Sequence, residues 1–156
     1  MSWRKRIARD IADLKSSGFE VCGDDGAEEP ALNLFLANVQ GPKDTPYENC
    51  SWQLRFTIPE MYPFVSPSVG FVQKILHPNV DEASGSICLD TLNKAWSPAF
   101  TIKHILDTVI PYLLMYPNPD DPLNREAAHQ MKVNLSNYNC RVKDHSKVNC
   151  YKEVTL

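Results

Sequence analysis

The chain has 156 residues, 43% of them hydrophobic and 22% charged, with a formal net charge of -3. This length suits one domain, residues 1–156, with a core of its own, and the composition excludes wholesale disorder. The negative balance argues against a dedicated nucleic-acid binder, because neutralising phosphates takes a basic surface. The basic start Arg4-Lys5-Arg6 leads into alternating apolar and charged residues, not into the apolar core of a signal peptide. The longest apolar stretch, 105–116, is broken by Asp107 and Pro111 and is too short to span a bilayer. Five cysteines, scattered without close pairs, fit reduced thiols in the cytosol or nucleus.

In chain order, Trp3, Ile7, Ile11 and Leu14 recur at helical spacing, with Ser2 able to cap the helix and Gly18 able to end it. Val21 to Gly23 reads as a short first strand. Leu32, Leu34 and Leu36 alternate with Asn33, Phe35 and Ala37, the pattern of a strand with one buried face. Trp52, Leu54, Phe56 and Ile58 alternate in the same way until Pro59 stops them, and Val69 to Val72 gives a further strand. Short links between these strands predict an antiparallel meander. No period persists over 76–100, which predicts a long irregular segment. From Ile102 to Leu114 an apolar stripe predicts a helix that Pro111 should kink or locally break. Helix-compatible sequence then runs from Leu123 to about Lys152, with a weak break at 134–139. The whole reads as an α+β domain.

The irregular segment carries His77-Pro78-Asn79, then Gly85-Ser86-Ile87-Cys88-Leu89-Asp90, then Trp96-Ser97-Pro98-Ala99. With Gly41-Pro42, Thr45-Pro46-Tyr47, Tyr62-Pro63-Phe64 and Asn118-Pro119-Asp120-Asp121-Pro122, these blocks resemble, in order and spacing, the ubiquitin-conjugating enzyme family. The resemblance covers Trp3 to Cys150. The stretch from Asn79 to Cys88 is one residue longer than in most members. Its Asp81-Glu82-Ala83-Ser84-Gly85 version is most similar to the type H subclass, whose members often carry an acidic tail that does not appear here.

The resemblance implies the family's fold: an N-terminal helix, a four-stranded antiparallel meander, a loop-borne cysteine and C-terminal helices. It implies that Cys88 takes ubiquitin as a thioester from the activating enzyme and passes it to a substrate lysine or to a ligase. Such chemistry needs a thiol nucleophile, donors for a tetrahedral oxyanion, and a carboxylate to condition the incoming amine. Asn79 is implied as the oxyanion donor or as support for the loop, Asp121 as the carboxylate, and Asp90 as possible support. His77 and Pro78 are implied to be structural. Lys5, Arg6, Pro63, Phe64, Ser97, Pro98 and Ala99 are implied as a docking platform for the activating enzyme and ligases. Protein substrates complete the partners, and no metal or organic cofactor is implied.

Several residues also admit plainer readings. An isolated Cys between Ile and Leu is normally a small buried apolar residue, and only the flanking blocks lift Cys88 above that. Asp120 reads as a helix cap. Trp96 reads as a packing anchor under the loop. Cys140, His145 and Cys150 fall at three spacings of a zinc knuckle, but Asn137 stands at the fourth. Tyr62-Pro63 is a candidate cis peptide. A thiol hydrolase using Cys88 with His77 or His104 lacks the flanking sequence of known cysteine proteases. Within the family the modifier could be a ubiquitin-like protein, and outside catalysis the chain could act as a ubiquitin- or ligase-binding scaffold.

Overall fold

A computed structural model describes residues 3–153. Helix α1, Trp3–Ser16, buries Ile7, Asp10, Ile11 and Leu14 along one stripe. The Ser2 cap lies outside the described residues. Gly18, at φ 93°, ends the helix. Its N–H and that of Phe19 return to the carbonyls of Lys15 and Leu14, the paired bonds of a Schellman turn.

Strands β1 (Val21–Gly23), β2 (Leu34–Gln40), β3 (Ser51–Thr57) and β4 (Ser68–Phe71) form one antiparallel sheet in the order β1-β2-β3-β4. The second strand starts later and runs further than the leucine alternation predicts. The row against the core is Phe35, Ala37 and Val39, which face Phe56, Leu54 and Trp52 across the register. Aromatic bulk decides the face: Phe35 and Phe56 stack at 5.3 Å, and both are fully buried.

The segment over 76–100 is not wholly irregular. It contains a two-turn helix, α2, Leu89–Ala95. Only Leu92 of that helix is buried, so it has no apolar stripe to announce it.

The helical run that follows is α-helical at α3 (Ile102–His104), π-helical at Ile105–Val109, and α-helical again at α4 (Ile110–Met115). Pro111 has no N–H to give the carbonyl of Asp107. The preceding turn widens instead, and the N–H of Ile110 reaches back to Ile105. The local break expected at the proline is therefore taken up as one π turn within a continuous helical run.

Helices α5 (Arg125–Val133) and α6 (Leu135–Asn149) meet at Asn134, which ends one and caps the other by accepting from the N–H of Asn137 at 3.0 Å. The break is one residue wide, narrower than the sequence suggests. Among the described residues no helix is long and apolar enough to cross a membrane.

The core lies between the inner face of the sheet and the helices, where Ile7, Leu14, Ile102, Ile105 and Ile110 join the strand side chains. Phe56→Ala should lower unfolding stability by about 3–5 kcal/mol in urea titrations, whereas Val148→Ala, on the solvent face of α6, should change it by less than about 0.5 kcal/mol.

Candidate active site

Between β4 and α2 the chain makes a small hairpin. Val80 pairs with Ile87 and Gly70 with Ser86, so the returning arm lies along the outer edge of β4. The N–H of Phe71 donates to Gly85 at 2.8 Å, and that of Asp81 donates to Ser86 at 3.0 Å. Gly85 sits at φ 76°, and a Cβ there would stand 2.1 Å from the carbonyl oxygen of Phe71. Only glycine lets the arm approach so closely.

The tip of the hairpin caps itself. The Asp81 carboxylate accepts from the N–H of Ser84 at 2.8 Å and from its hydroxyl at 2.6 Å. These bonds hold the Asp81 carboxyl below its usual range, the Ser84 side-chain bond contributing most. The last bridge of the hairpin joins Val80 to Ile87, and Asn79 and Cys88 are the next residues along its two arms.

Cys88 is half-exposed and occupies the cap position of α2, with φ -56° and ψ 125°. Its carbonyl accepts from Leu92, and its side chain makes no capping bond to the helix. Asp90 is exposed in the first turn of α2 and Lys94 in its last.

The His77-Pro78-Asn79 tripeptide ties this arm to the segment after α4. His77 is fully buried. Its Nε2 lies 2.8 Å from the carbonyl of Leu113 and its Nδ1 accepts from the N–H of Asn79 at 2.9 Å. The donor must therefore be Nε2–H, which fixes the neutral tautomer. Burial lowers its pKa to about 4, against the opposing pull of the Leu113 carbonyl.

The Pro78 carbonyl accepts from the N–H groups of Leu123 and Asn124, at 2.8 and 2.9 Å. The Asn79 amide donates to the carbonyls of Asn118 and Asp121, at 2.8 and 3.2 Å, and accepts from the N–H of Asn118 at 2.7 Å. Both hydrogens of that amide are thus engaged in bracing residues 118–121. Asp121 is held by its backbone and presents an exposed side chain.

Asn79, Asn118, Asp121 and Lys94 share an open groove of about 630 Å³ with Tyr112 and Tyr116. His104 also lines it, with its ring stacked on Phe100 at 4.0 Å. A catalytic Cys-His pair with His77 is excluded by geometry, since both of its ring nitrogens are committed to backbone.

Asp120 does not cap the next helix. Helix α5 starts only at Arg125, so the cap falls to Asn124, whose side chain accepts from Ala127 at 3.1 Å. Asp120 pairs instead with Lys132 at 2.9 Å.

The residues of the anticipated platform come together in space. Tyr62-Pro63 is cis. Phe64 is 74% exposed, and Pro98, Ala99 and Lys5 are exposed too. Trp96 donates from Nε1 to the Pro63 carbonyl at 2.8 Å and packs against Tyr62. Arg6 is not a free surface charge. Its guanidinium bonds to the carbonyls of Pro98 and Phe100 and to the buried carboxylate of Asp10, which also accepts from the Tyr62 hydroxyl. Arg6 therefore positions the two loops against α1. The bonds of Arg6 and the backbone role of Asn118 escape sequence reading, because each depends on contacts some forty to ninety residues away.

The sequence model described as "Ubiquitin-conjugating enzyme" matches residues 6–146 of this chain. The chain belongs to the ubiquitin-conjugating enzyme family. It is 46% identical over 142 residues to ubiquitin-conjugating enzyme E2 5 of Arabidopsis thaliana, covering 90% of this chain and 74% of that one. It is 43% identical over 144 residues to the yeast ubiquitin-conjugating enzyme E2-24 kDa of Saccharomyces cerevisiae, covering 92% of this chain and 64% of the relative. Among solved structures, the E2 domain of a Toxoplasma gondii ubiquitin conjugating enzyme superposes with a TM-score of 0.83 at 33% identity, covering 94% of this chain and 98% of that domain. Membership implies ubiquitin, an activating enzyme and ligases as the general classes of partner.

The buried histidine has a pH consequence for this member of the family. Between about pH 6.5 and pH 4 the unfolded chain binds a proton at His77 that the folded chain refuses, so stability falls as the pH falls through that window. The loss should reach roughly 2–3 kcal/mol. His145 is lowered by burial as well and acts in the same sense. His77→Gln should be less stable at neutral pH yet show a shallower decline on acidification, measured by urea unfolding at a series of pH values. An unchanged slope would show that His77 does not carry this proton linkage.

Proposed function

We propose that Cys88 is the thiol on which this ubiquitin-conjugating enzyme carries ubiquitin, and that residues 118–121, braced by Asn79, receive the lysine that takes it away. The observation that supports this best is the register of the hairpin. Its last bridge, Val80 with Ile87, is followed on one arm by the half-exposed Cys88 and preceded on the other by Asn79, the asparagine that clasps the Asp121 loop. The thiol attacks the activating enzyme's thioester, and the ubiquitin carboxyl moves from one sulfur to the other with little change in bond energy. The amine of a substrate lysine then attacks the thioester carbonyl. The Asp121 carboxylate, exposed on the groove beside Asn79, orients that amine and eases removal of its proton.

In the resting enzyme Asn79 supports the loop, because both of its amide hydrogens already serve the carbonyls of Asn118 and Asp121. Asp90 lies two residues from Cys88, in the first turn of α2, and has a supporting place at most. Ubiquitin, rather than a ubiquitin-like protein, is the modifier favoured by relatives such as those from Arabidopsis and yeast. The exposed Phe64, flanked by Pro98, Ala99 and Lys5, provides a compact apolar platform with a polar rim on which an activating enzyme or ligase can dock. A cytosolic or nuclear setting accords with this reading.

Incubation with ubiquitin, ATP and an activating enzyme should give a ubiquitin-sized gel shift that reducing agent removes. Cys88→Ala should show none. A shift that persists in Cys88→Ala would assign the thioester to another cysteine and sink the proposal.

Asn79→Ala and Asp121→Ala should both charge normally but discharge to free lysine roughly 10–100-fold more slowly. For Asn79→Ala the loss should come with faster amide exchange over 118–124, the mark of a loosened loop. Phe64→Ala should lower ligase-stimulated discharge by roughly 30-fold with an unchanged thermal midpoint.

A further inference from the structure

Cys50 and Cys150 stand a hundred residues apart in sequence. The fold joins their segments. Cys50 immediately precedes β3 and is fixed on both sides: its N–H donates to Tyr47 and its carbonyl accepts from Gly41 at 2.7 Å. Cys150 ends α6, with its N–H bonded to Ser146 at 2.9 Å. The next residue, Tyr151, donates its N–H to the carbonyl of Ser51 at 2.8 Å. The two cysteines thus flank a main-chain bond between the end of the last helix and the start of the third strand. Both belong to the same apolar cluster, Cys50 buried in it and Cys150 packed on its margin. The Cys150 thiol is near enough to raise the pKa of the Cys50 thiol.

We infer that Cys50 and Cys150 are a disulfide-forming pair that a hydroperoxide oxidises, stapling α6 to β3. Neither thiol takes part in the conjugating chemistry. The division of labour follows from exposure. Cys150, the more open sulfur, attacks the peroxide as its thiolate. With hydrogen peroxide the O–O bond breaks, a sulfenic acid forms on Cys150, and the departing hydroxide takes up the proton that the Cys150 thiol released and leaves as water. The sulfur of Cys50 then attacks the sulfenyl sulfur. The S–S bond forms, and the hydroxyl departs with the Cys50 proton as a second water. Two thiols lose two electrons and the peroxide gains them.

Burial first, and then the neighbouring Cys150, push the Cys50 thiol up to about 11, which suits it to the resolving role rather than the attacking one. Lys147 and Lys152 oppose that rise. The Lys152 ammonium is folded back onto the carbonyls of Lys147 and Val148, which keeps positive charge beside the pair.

The test uses the full chain in a Cys88→Ala background, so that the thioester thiol does not compete for oxidant. The protein is treated with hydrogen peroxide and then denatured in N-ethylmaleimide without reductant. Alkylation should fall from four thiols to two. A non-reducing digest should link the peptides holding Cys50 and Cys150, and dithiothreitol should restore both. The thermal midpoint of the oxidised protein should rise by roughly 5–15 °C. Adding Cys150→Ser should abolish the link and the rise. That position is only half-buried, which avoids the folding cost of replacing Cys50. Four alkylated thiols after peroxide, over-oxidation of each cysteine singly, or a link that joins other cysteines or two chains would overturn the inference.

Discussion

A buried, neutral histidine holds the working end of this molecule together. His77 uses one ring nitrogen to reach the end of the helical run at Leu113 and the other to hold the backbone of Asn79. Because the side chain is out of water, each unmade bond would leave a polar atom stranded, and the cost of that is larger than the net worth of the bond when formed. The two residues that follow extend the tie: Pro78 through its carbonyl to Leu123 and Asn124, Asn79 through its amide to Asn118 and Asp121. Three consecutive residues thereby lock a strand-edge hairpin to the segment between α4 and α5. The relative position of the thiol and the carboxylate is a product of backbone hydrogen bonding, with no direct contact between the two side chains needed.

A second polar knot does for the partner-facing side what His77 does for the thiol. Asp10 is buried on α1, satisfied by Arg6 from one side and Tyr62 from the other. A buried carboxylate is tolerable only with such partners. Arg6 then spends its remaining donors on the loop that carries Pro98, while Trp96 reaches across to Pro63. The result is an exposed apolar side chain, Phe64, mounted on a base that cannot easily move. Rigid mounting limits what binding costs in lost freedom.

Much of this was legible in the sequence wherever apolar side chains recur with a period. The first helix, the third strand and the stripe from Ile102 onward announce themselves, because each buries one face. Helix α2 was not legible, since a single buried leucine sets no period. The later start of β2, and its Phe35 face, depended on which partner strand offered an aromatic to stack on. Family motifs located the candidate site where periodicity failed, as with Cys88 and Asn79. They could not reveal that Arg6 is committed inside the fold, or that Asp120 yields its capping place to Asn124. The cysteines, which look unpaired along the chain, illustrate the same limit: Cys50 and Cys150 become neighbours only when α6 folds back on β3.

The hairpin beside β4 has one more effect. A sheet ends in a strand whose outward N–H and C=O groups invite any passing extended chain to add itself. On β4 those groups are already answered by the arm running through Gly85 to Ile87, which carries the thiol at its end. The opposite margin, β1, is only three residues long and offers little to pair with. The segment that presents the thiol is thus also what keeps the sheet from growing. Loosening it would expose the protein to edge-on self-association, so the hairpin answers to solubility as well as to chemistry.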